Sequence, residues 1–173
     1  MQADPRALKI LHYPNPVLRQ AAQSIETITD QVRAVADRML QLMREAGGVG
    51  LAAPQVGLRW RLFVANPTQQ ADDLGIFVNP VLGNPSKEMA EHEEGCLSLP
   101  QVTAKIRRPQ RITIEATDLD GHALRLTDDQ MPARVWQHET DHLNGVLIID
   151  RMSQIDRIAN RRALRDLEKA AGQ

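Results

Sequence analysis

Residues 137–145 of this 173-residue chain read QHETDHLNG, a run in which two histidines stand four positions apart. On a helix, residues four apart lie on one face, so His138 and His142 present their imidazoles to the same point. Two neutral imidazoles at this spacing can bind a divalent metal, with Glu139 beside the open side of that metal. There Glu139 can accept a proton from water and later deliver it to a leaving group. The alternative is a surface helix that carries two histidines by chance.

The composition predicts an ordinary globular protein. Apolar residues make up 42% of the chain, charged residues 25% and aromatic residues 3%, so the core is expected to be mostly aliphatic. A net charge of −1 gives no overall field toward nucleic acid or membrane, and we expect neither sequence-specific nucleic-acid binding nor membrane association. Residues 1–6 lack the apolar stretch of a signal peptide, and no later run is long enough to span a bilayer. These features predict a cytoplasmic protein, of bacterial type or in an organelle.

Hydrophobic periodicity predicts an α+β fold for residues 1–173 as one domain. In this fold, small antiparallel or mixed β-sheets pack around the central helix that carries the two histidines, together with an N-terminal packing helix and a C-terminal helix. The first predicted helix is capped by Thr29 or Asp30 and runs to about Ala46. The predicted strands are Arg61–Ala65, Ile76–Val81, Arg111–Thr117 and Ala123–Leu126. The central helix is predicted to be capped by Asp128 or Asp129 and to end at Gly145, and a closing helix is predicted from about Ser153 to Lys169 with Ile155, Ile158 and Leu167 as its apolar side.

The identity of the third metal ligand separates the possible enzyme classes, because catalytic zinc sites use three protein ligands and one water. A metzincin protease would have a histidine at position 148, where this chain has Ile148. A thermolysin-like protease would need a later carboxylate, and the only glutamate after the motif is Glu168, in a helix that reads as basic and exposed. A zinc endopeptidase of the HExxH type therefore remains only as the alternative function. Cys96, the single cysteine, is the remaining candidate ligand, unless it is simply a buried small side chain.

Three segments together resemble a known family. Residues 48–55 read GVGLAAPQ, residues 94–98 read EGCLS and residues 137–142 read QHETDH. In order and spacing these runs resemble the three signature motifs of peptide deformylases, and the resemblance extends over nearly the whole chain. It implies a metal-dependent hydrolase that removes the N-formyl group from the initiator methionine of nascent polypeptides and releases formate.

The resemblance also implies the metal site. It assigns one divalent metal ion to Cys96, His138 and His142, with a water as the fourth ligand. Iron(II) (Fe2+) is implied as the physiological metal, with zinc, nickel or cobalt (Zn2+, Ni2+, Co2+) able to substitute, and mixed sulfur and nitrogen ligation suits all of these ions. Glu94 or Asp141 is expected to support the ligands from behind.

The same resemblance implies the roles of the groups around the metal. Glu139 is the general base, and the side-chain amide of Gln55 and the backbone N–H of Leu97 stabilise the oxyanion that develops on the formyl oxygen. Val49 and Gly50 are expected to contact the substrate, with Gly50 allowing its backbone to pair like an added strand. The methionine side chain is expected in an apolar pocket near Met131 and Val135.

Two features of the sequence bear on contacts outside the metal site. Many relatives have glycine where this chain has Gln101, and arginine or tyrosine near Thr103, so substrate contacts at the rim of the cleft stay open. The closing helix is basic, and in bacterial relatives the corresponding helix is associated with docking to the ribosome. A solvated helix face is the alternative. The basic residues are Arg157, Arg161, Arg162, Arg165 and Lys169.

Overall fold

The structure of the chain is a computed structural model that describes residues 4–70 and 74–172. Within this part the helices are α1 (Asp30–Glu45), α2 (Met131–Leu143), α3 (Ile148–Arg151), α4 (Gln154–Ala159) and α5 (Arg161–Ala171). The strands are β1 (Gly50–Ala52), β2 (Leu62–Ala65), β3 (Gly75–Gly83), β4 (Met89–Gly95), β5 (Thr103–Pro109), β6 (Ile112–Thr117) and β7 (Ala123–Asp128). None of the helices described is both long and apolar enough to cross a membrane.

The strands form two antiparallel sheets, which confirms the predicted α+β class. One sheet has the order β1-β2-β3-β6-β7, and β4 pairs with β5 in the other. β1 lies at an edge of the larger sheet, and its only strand partner among the described residues is β2. The register of β3 against β6 shifts between Val78 and Val81, where Asn79 has a positive φ of 51°.

Side chains that alternate along β1 and β2 bury the sheet on both faces. Leu51, Leu62 and Val64 pack with α1, whereas Ala52 and Phe63 pack with α2. The N-terminal packing helix is confirmed, and it begins after Thr29, whose hydroxyl accepts a hydrogen bond from the backbone N–H of Val32 at 3.4 Å. The sheet thus separates two apolar layers and holds α2 firmly against β1.

α2 ends where the sequence predicts but begins differently. Its N-cap residue is Gln130, not Asp128 or Asp129, because Asp128 is the last residue of β7. The carboxylate of Asp128 accepts a hydrogen bond from the backbone N–H of Gln130 at 2.6 Å and so forms the turn into the helix. At the other end, Gly145 has a φ of 72°, and a Cβ there would lie 2.6 Å from the carbonyl oxygen of Arg19.

The predicted closing helix is interrupted. α4 and α5 meet at Asn160, whose side-chain amide donates to the carbonyl oxygen of Thr103 at 2.7 Å and accepts from its N–H at 3.3 Å. Asparagine favours such helix ends because its amide competes for backbone hydrogen bonds. Ile155 and Ile158 were predicted as part of the apolar side of the helix and are instead 80% and 73% exposed. Leu167 packs against the core, as expected.

β4 and β5 were not predicted as strands. β4 carries the acidic run of residues 91–94 and buries only Glu94, so it lacks the apolar alternation of a half-buried strand. β5 buries Ala104, Ile106 and Arg108 on one face, and the cationic residue in this series obscures the pattern. These two strands carry the charged side chains that lie behind the metal ligands.

Gln101 lies in the turn before β5 with a φ of 65°, a backbone conformation that costs a residue with a Cβ about 1–2 kcal/mol. We expect Gln101→Gly to stabilise the protein by roughly 1 kcal/mol, since relief of this strain exceeds the added chain entropy of glycine. Asn84→Gly is the matched control, because Asn84 is also exposed, has a φ of 49° and is of a type that tolerates this region. Urea unfolding of both variants measures the difference. If the free energy of unfolding rose no more for Gln101→Gly than for the control, the backbone at Gln101 would not be strained.

Candidate metal centre and active site

Three metal-binding side chains converge where α2 faces the end of β4. His138 Nε2 lies 3.3 Å from His142 Nε2, and Cys96 Sγ lies 3.3 Å from His142 Nε2. Nitrogen and sulfur ligands at about 2.0–2.3 Å from one tetrahedral ion are separated by roughly 3.3–3.6 Å, so these distances fit a shared cation. The donor set of one thiolate and two imidazoles suits a borderline-soft divalent metal.

The loop after β4 places Cys96 by its backbone. The carbonyl oxygen of Cys96 accepts from the N–H of Leu99 at 2.9 Å, which closes a tight turn. The carbonyl oxygen of Ser98 accepts from the N–H of Tyr13 at 2.9 Å and ties the turn to the N-terminal segment. A half-buried cysteine is thus fixed beside α2, although His138 lies 42 positions further along the chain.

Glu94 fixes the orientation of His138. Its Oε2 lies 3.0 Å from His138 Nδ1, which leaves Nε2 of the ring directed at the cation site. Arg108 donates to both carboxylate oxygens of Glu94, at 2.7 and 2.9 Å, and Arg134 donates to Oε1 at 2.6 Å. Burial alone would raise the pKa of Glu94, but the bonds from Arg108 and His138 outweigh it and hold that pKa well below its usual value.

Asp141 supports the site indirectly, through its hydrogen bond with Arg108. Its Oδ2 accepts from Arg108 at 2.7 Å and from Arg151 at 2.6 Å. Of the two acids predicted to support the ligands, Glu94 therefore contacts a histidine directly and Asp141 acts through Arg108. Neither Arg108 nor Arg134 was predicted as part of the site. The only feature of the sequence that indicates them is that buried acids need cationic partners.

Burial sets the protonation of Glu139. The side chain is 3% exposed, its Oε2 has no hydrogen-bond partner in the part of the chain described, and burial raises its pKa to about 7. Gly50 makes this position possible, because a Cβ there would lie 2.3 Å from Glu139 Oε1. A carboxylate of this kind can accept and return a proton near neutral pH.

Gln55 is oriented with its N–H groups toward the site. Its Oε1 accepts from the N–H of Ala52 at 2.8 Å, and its Nε2 lies 3.1 Å from Ser98 Oγ and 3.6 Å from Cys96 Sγ. The backbone N–H of Leu97 makes no hydrogen bond to another described residue. Two donors, from Gln55 and Leu97, therefore lie next to the predicted ligands.

The site opens into a cleft of about 360 Å³. All four residues predicted to bind substrate line this cleft: Val49, Gly50, Met131 and Val135. Arg134, which was not predicted to belong to the pocket, also lines it. Within the described residues, neither Gln101 nor Thr103 lines the cleft.

These features define a class of protein. Three side chains that can hold a metal, a buried carboxylate with a pKa near neutrality and N–H donors beside one cleft are the parts of a metal-dependent hydrolase. A structural metal site would use four protein ligands and would leave the buried carboxylate without a role.

Comparison with known proteins identifies the family. The model of the family described as polypeptide deformylase matches residues 7–158. A chloroplastic peptide deformylase 1B of Oryza sativa subsp. japonica is 41% identical over 94% of this chain, which spans 61% of that protein. A peptide deformylase of Acinetobacter baumannii is 41% identical over 87% of this chain and 85% of its own length. A crystal structure of Plasmodium falciparum peptide deformylase superposes with a TM-score of 0.90 at 34% identity, covering 94% of this chain and 96% of the other.

This chain belongs to the polypeptide deformylase family, whose members are metallohydrolases that remove the N-formyl group from nascent peptides. The family implies a catalytic divalent metal, for which Cys96, His138 and His142 form a possible site. The predicted family and activity are therefore confirmed, and the comparisons do not favour the endopeptidase. The relatives include both bacterial and chloroplast proteins.

The contact between Gly50 and Glu139 gives a prediction. We expect Gly50→Ala to slow formate release from a formyl-Met peptide by about a hundredfold, because the new methyl group must displace the Glu139 carboxylate by an ångström or more. Gly83→Ala is the control, since a Cβ at Gly83 meets nothing within 4 Å. Metal content is measured on both variants. Formate release by Gly50→Ala at the rate of the control would contradict the contact.

Proposed function

We propose that residues 1–173 form one catalytic domain that removes the N-formyl group from N-formylmethionine at the start of nascent polypeptides. The convergence of Cys96, His138 and His142 beside Glu139, at the bottom of an open cleft, carries this proposal. The compartment we propose is one in which nascent chains are formylated, either a bacterial-type cytoplasm or an organelle.

We propose iron(II) as the physiological metal, with zinc, nickel or cobalt able to substitute. Cys96, His138 and His142 would hold this cation, which would supply a Lewis acid for the activation of water and of the formyl carbonyl. The Glu94 carboxylate raises the basicity of His138 as a ligand. Loss of activity on exposure to oxygen, with recovery after zinc or nickel replaces the native ion, would distinguish iron from the other metals.

Glu139 is the proposed general base and acid. Its carboxylate takes a proton from the attacking water and returns it to the leaving amine, which its near-neutral pKa permits in both directions. As the formyl carbon becomes tetrahedral, Gln55 Nε2 and the N–H of Leu97 donate to the developing oxyanion. The formyl hydrogen is small, and a tight fit at this point would exclude an acetyl group.

The peptide is proposed to bind along the outer edge of β1. This edge strand begins at Gly50, and a peptide in extended form can pair with it as an added strand. From that position the methionine side chain enters the cleft between Val49, Met131 and Val135. Backbone pairing gives little sequence selectivity, so most of the selectivity would come from this pocket.

The proton-transfer role of Glu139 can be tested directly. We expect Glu139→Gln to lower formate release by about a hundred- to ten-thousand-fold while metal content is retained, because the amide keeps the volume but cannot accept a proton. Glu93→Gln is the matched control, since Glu93 is an exposed carboxylate at the rim of the same cleft. If Glu139→Gln released formate as fast as this control, Glu139 would not be the base. If the unmodified protein released none, the proposed function would fail.

We further propose that the basic helix α5 docks to the ribosome. Its groove with α4 is lined by Arg161, Arg162, Arg165 and Lys169, beside the exposed Ile158. Clustered cations of this kind attract the phosphates of RNA.

Charge reversal tests this docking. Arg161→Glu combined with Arg162→Glu is expected to lower ribosome co-sedimentation at least tenfold at low salt, because two attractions become repulsions. Reversal of Arg59 and Arg111, two exposed arginines outside α5, is the control. Equal sedimentation of the two double variants would identify the charges of α5 as a solvated face only.

A further inference from the structure

A second cavity adjoins the cleft on the side away from the metal ligands. It has a volume of about 550 Å³ and lies between the N-terminal end of α2 and β4, near Ala90, His92 and Asp129. Glu93, Met131 and Arg134 line both this cavity and the cleft. Met131 is 51% exposed, whereas the side chain of Arg134 is 11% exposed, so Arg134 is the buried part of the partition between the two spaces.

Arg134 is held in this partition by three hydrogen bonds to the two strands of the smaller sheet, β4 and β5. Its Nη1 donates to Glu94 Oε1 at 2.6 Å and to the carbonyl oxygen of Ile106 at 3.1 Å. Its Nη2 donates to the carbonyl oxygen of Ala90 at 2.9 Å. The side chain thus spans from α2 to β4 and β5, and it is a fixed wall rather than a mobile surface arginine.

The position of this wall matches the path of the first side chain of the substrate. Arg134 precedes the ligand His138 by four residues, which is about 6 Å along the helix axis. Met131, Arg134, Val135 and His138 share one face of α2, and all line the cleft. A side chain that starts at the metal and follows this face therefore reaches Arg134.

The wall is a hydrogen-bond donor and carries a positive charge. Three of the five N–H groups of Arg134 are used by Glu94, Ile106 and Ala90; Nε–H and one Nη2–H make no hydrogen bond to any other residue in the described ranges. A methylene group offers such donors nothing, a thioether sulfur is a weak acceptor, and a sulfoxide oxygen is a strong acceptor.

We infer that Arg134 determines specificity at this pocket, and that peptides beginning with N-formylmethionine sulfoxide are a further substrate of the enzyme. This inference rests on the proposed function. The guanidinium closes the pocket and selects side chains that end in a hydrogen-bond acceptor over apolar chains of the same length. The reaction is unchanged: water cleaves the formyl C–N bond, formate leaves and the amine keeps the proton.

The test compares three peptides that differ only in the first side chain, namely formyl-methionine, formyl-norleucine and formyl-methionine sulfoxide. For each, kcat/KM is measured with the unmodified protein and with Arg134→Met, which replaces the guanidinium by an apolar chain. The sulfoxide-to-methionine ratio is expected to fall about tenfold or more in Arg134→Met, and the preference for methionine over norleucine is expected to disappear. Because the three peptides are compared as ratios within each variant, a general loss of rate caused by the missing hydrogen bond to Glu94 does not affect the result.

Arg151→Met is the matched control. Arg151 also belongs to the buried charge network, through Asp141, but it does not line the cleft. This variant is expected to change the rates for all three peptides by one common factor. If Arg134→Met changed the three rates by one common factor as well, Arg134 would be a positioning residue for Glu94 only, and the inference would be overturned.

A binding measurement separates this inference from the proposed function. The deformylated product peptides are titrated calorimetrically into the metal-loaded protein, and the sulfoxide peptide is expected to lose affinity about tenfold relative to the methionine peptide in Arg134→Met. The expected order of binding without any formate release would remove the proposed function and keep the pocket. Formate release with no dependence of binding or rate ratios on Arg134 would remove the pocket inference alone.

Discussion

The buried carboxylate of Glu94 joins the parts of this molecule that the chemistry requires. It accepts hydrogen bonds from Arg108 in β5 and Arg134 in α2, and it contacts the ring of His138, a predicted metal ligand. A buried charge is tolerated only when it is paired and its lone pairs are used, so these groups must come together as one unit. Loss of one partner of such a pair typically costs about 3–5 kcal/mol. The two-stranded sheet and α2 are therefore locked in the relative position that directs His138 at the cation site.

A second constraint acts on the opposite side of α2, where β1 lies close to the helix. Gly50 allows its backbone to approach the Glu139 carboxylate, and a Cβ at Gly48 would lie 2.6 Å from a methyl carbon of Leu97. The two glycines thus bring the edge of the larger sheet against both the buried carboxylate and the loop of Cys96. The same close approach excludes water from Glu139, and this burial raises its pKa to about 7. The packing of the β1 backbone against Glu139 therefore also sets the pKa with which this side chain transfers protons.

Much of the secondary structure could be read from local patterns. The face of α1, the hairpin of β6 and β7 and the end of α2 at Gly145 follow from periodicity and turn residues. The prediction of one continuous closing helix was wrong, because the interruption at Asn160 depends on a contact with Thr103, which is 57 positions away in the chain. β4 and β5 were missed for a related reason. Their pattern of charges makes sense only when Glu94 and Arg108 share the buried face of the strand pair. There Arg108 donates to Glu94, although the two are opposite Ala90 and Ala104 in the strand register.

The family could be recognised from the sequence alone, through the resemblance of three motifs, and the same motifs predict which side chains bind the metal, transfer the proton and donate to the oxyanion. Only the three-dimensional fold shows how these side chains are arranged: that Glu94 contacts His138, that Gln55 is oriented by Ala52, and that Arg134 lines the pocket predicted to be apolar. The first and the third of these depend on residues far apart in the chain. Pairing energies between buried charges are fixed by distance and burial, and neither quantity is encoded in local spacing.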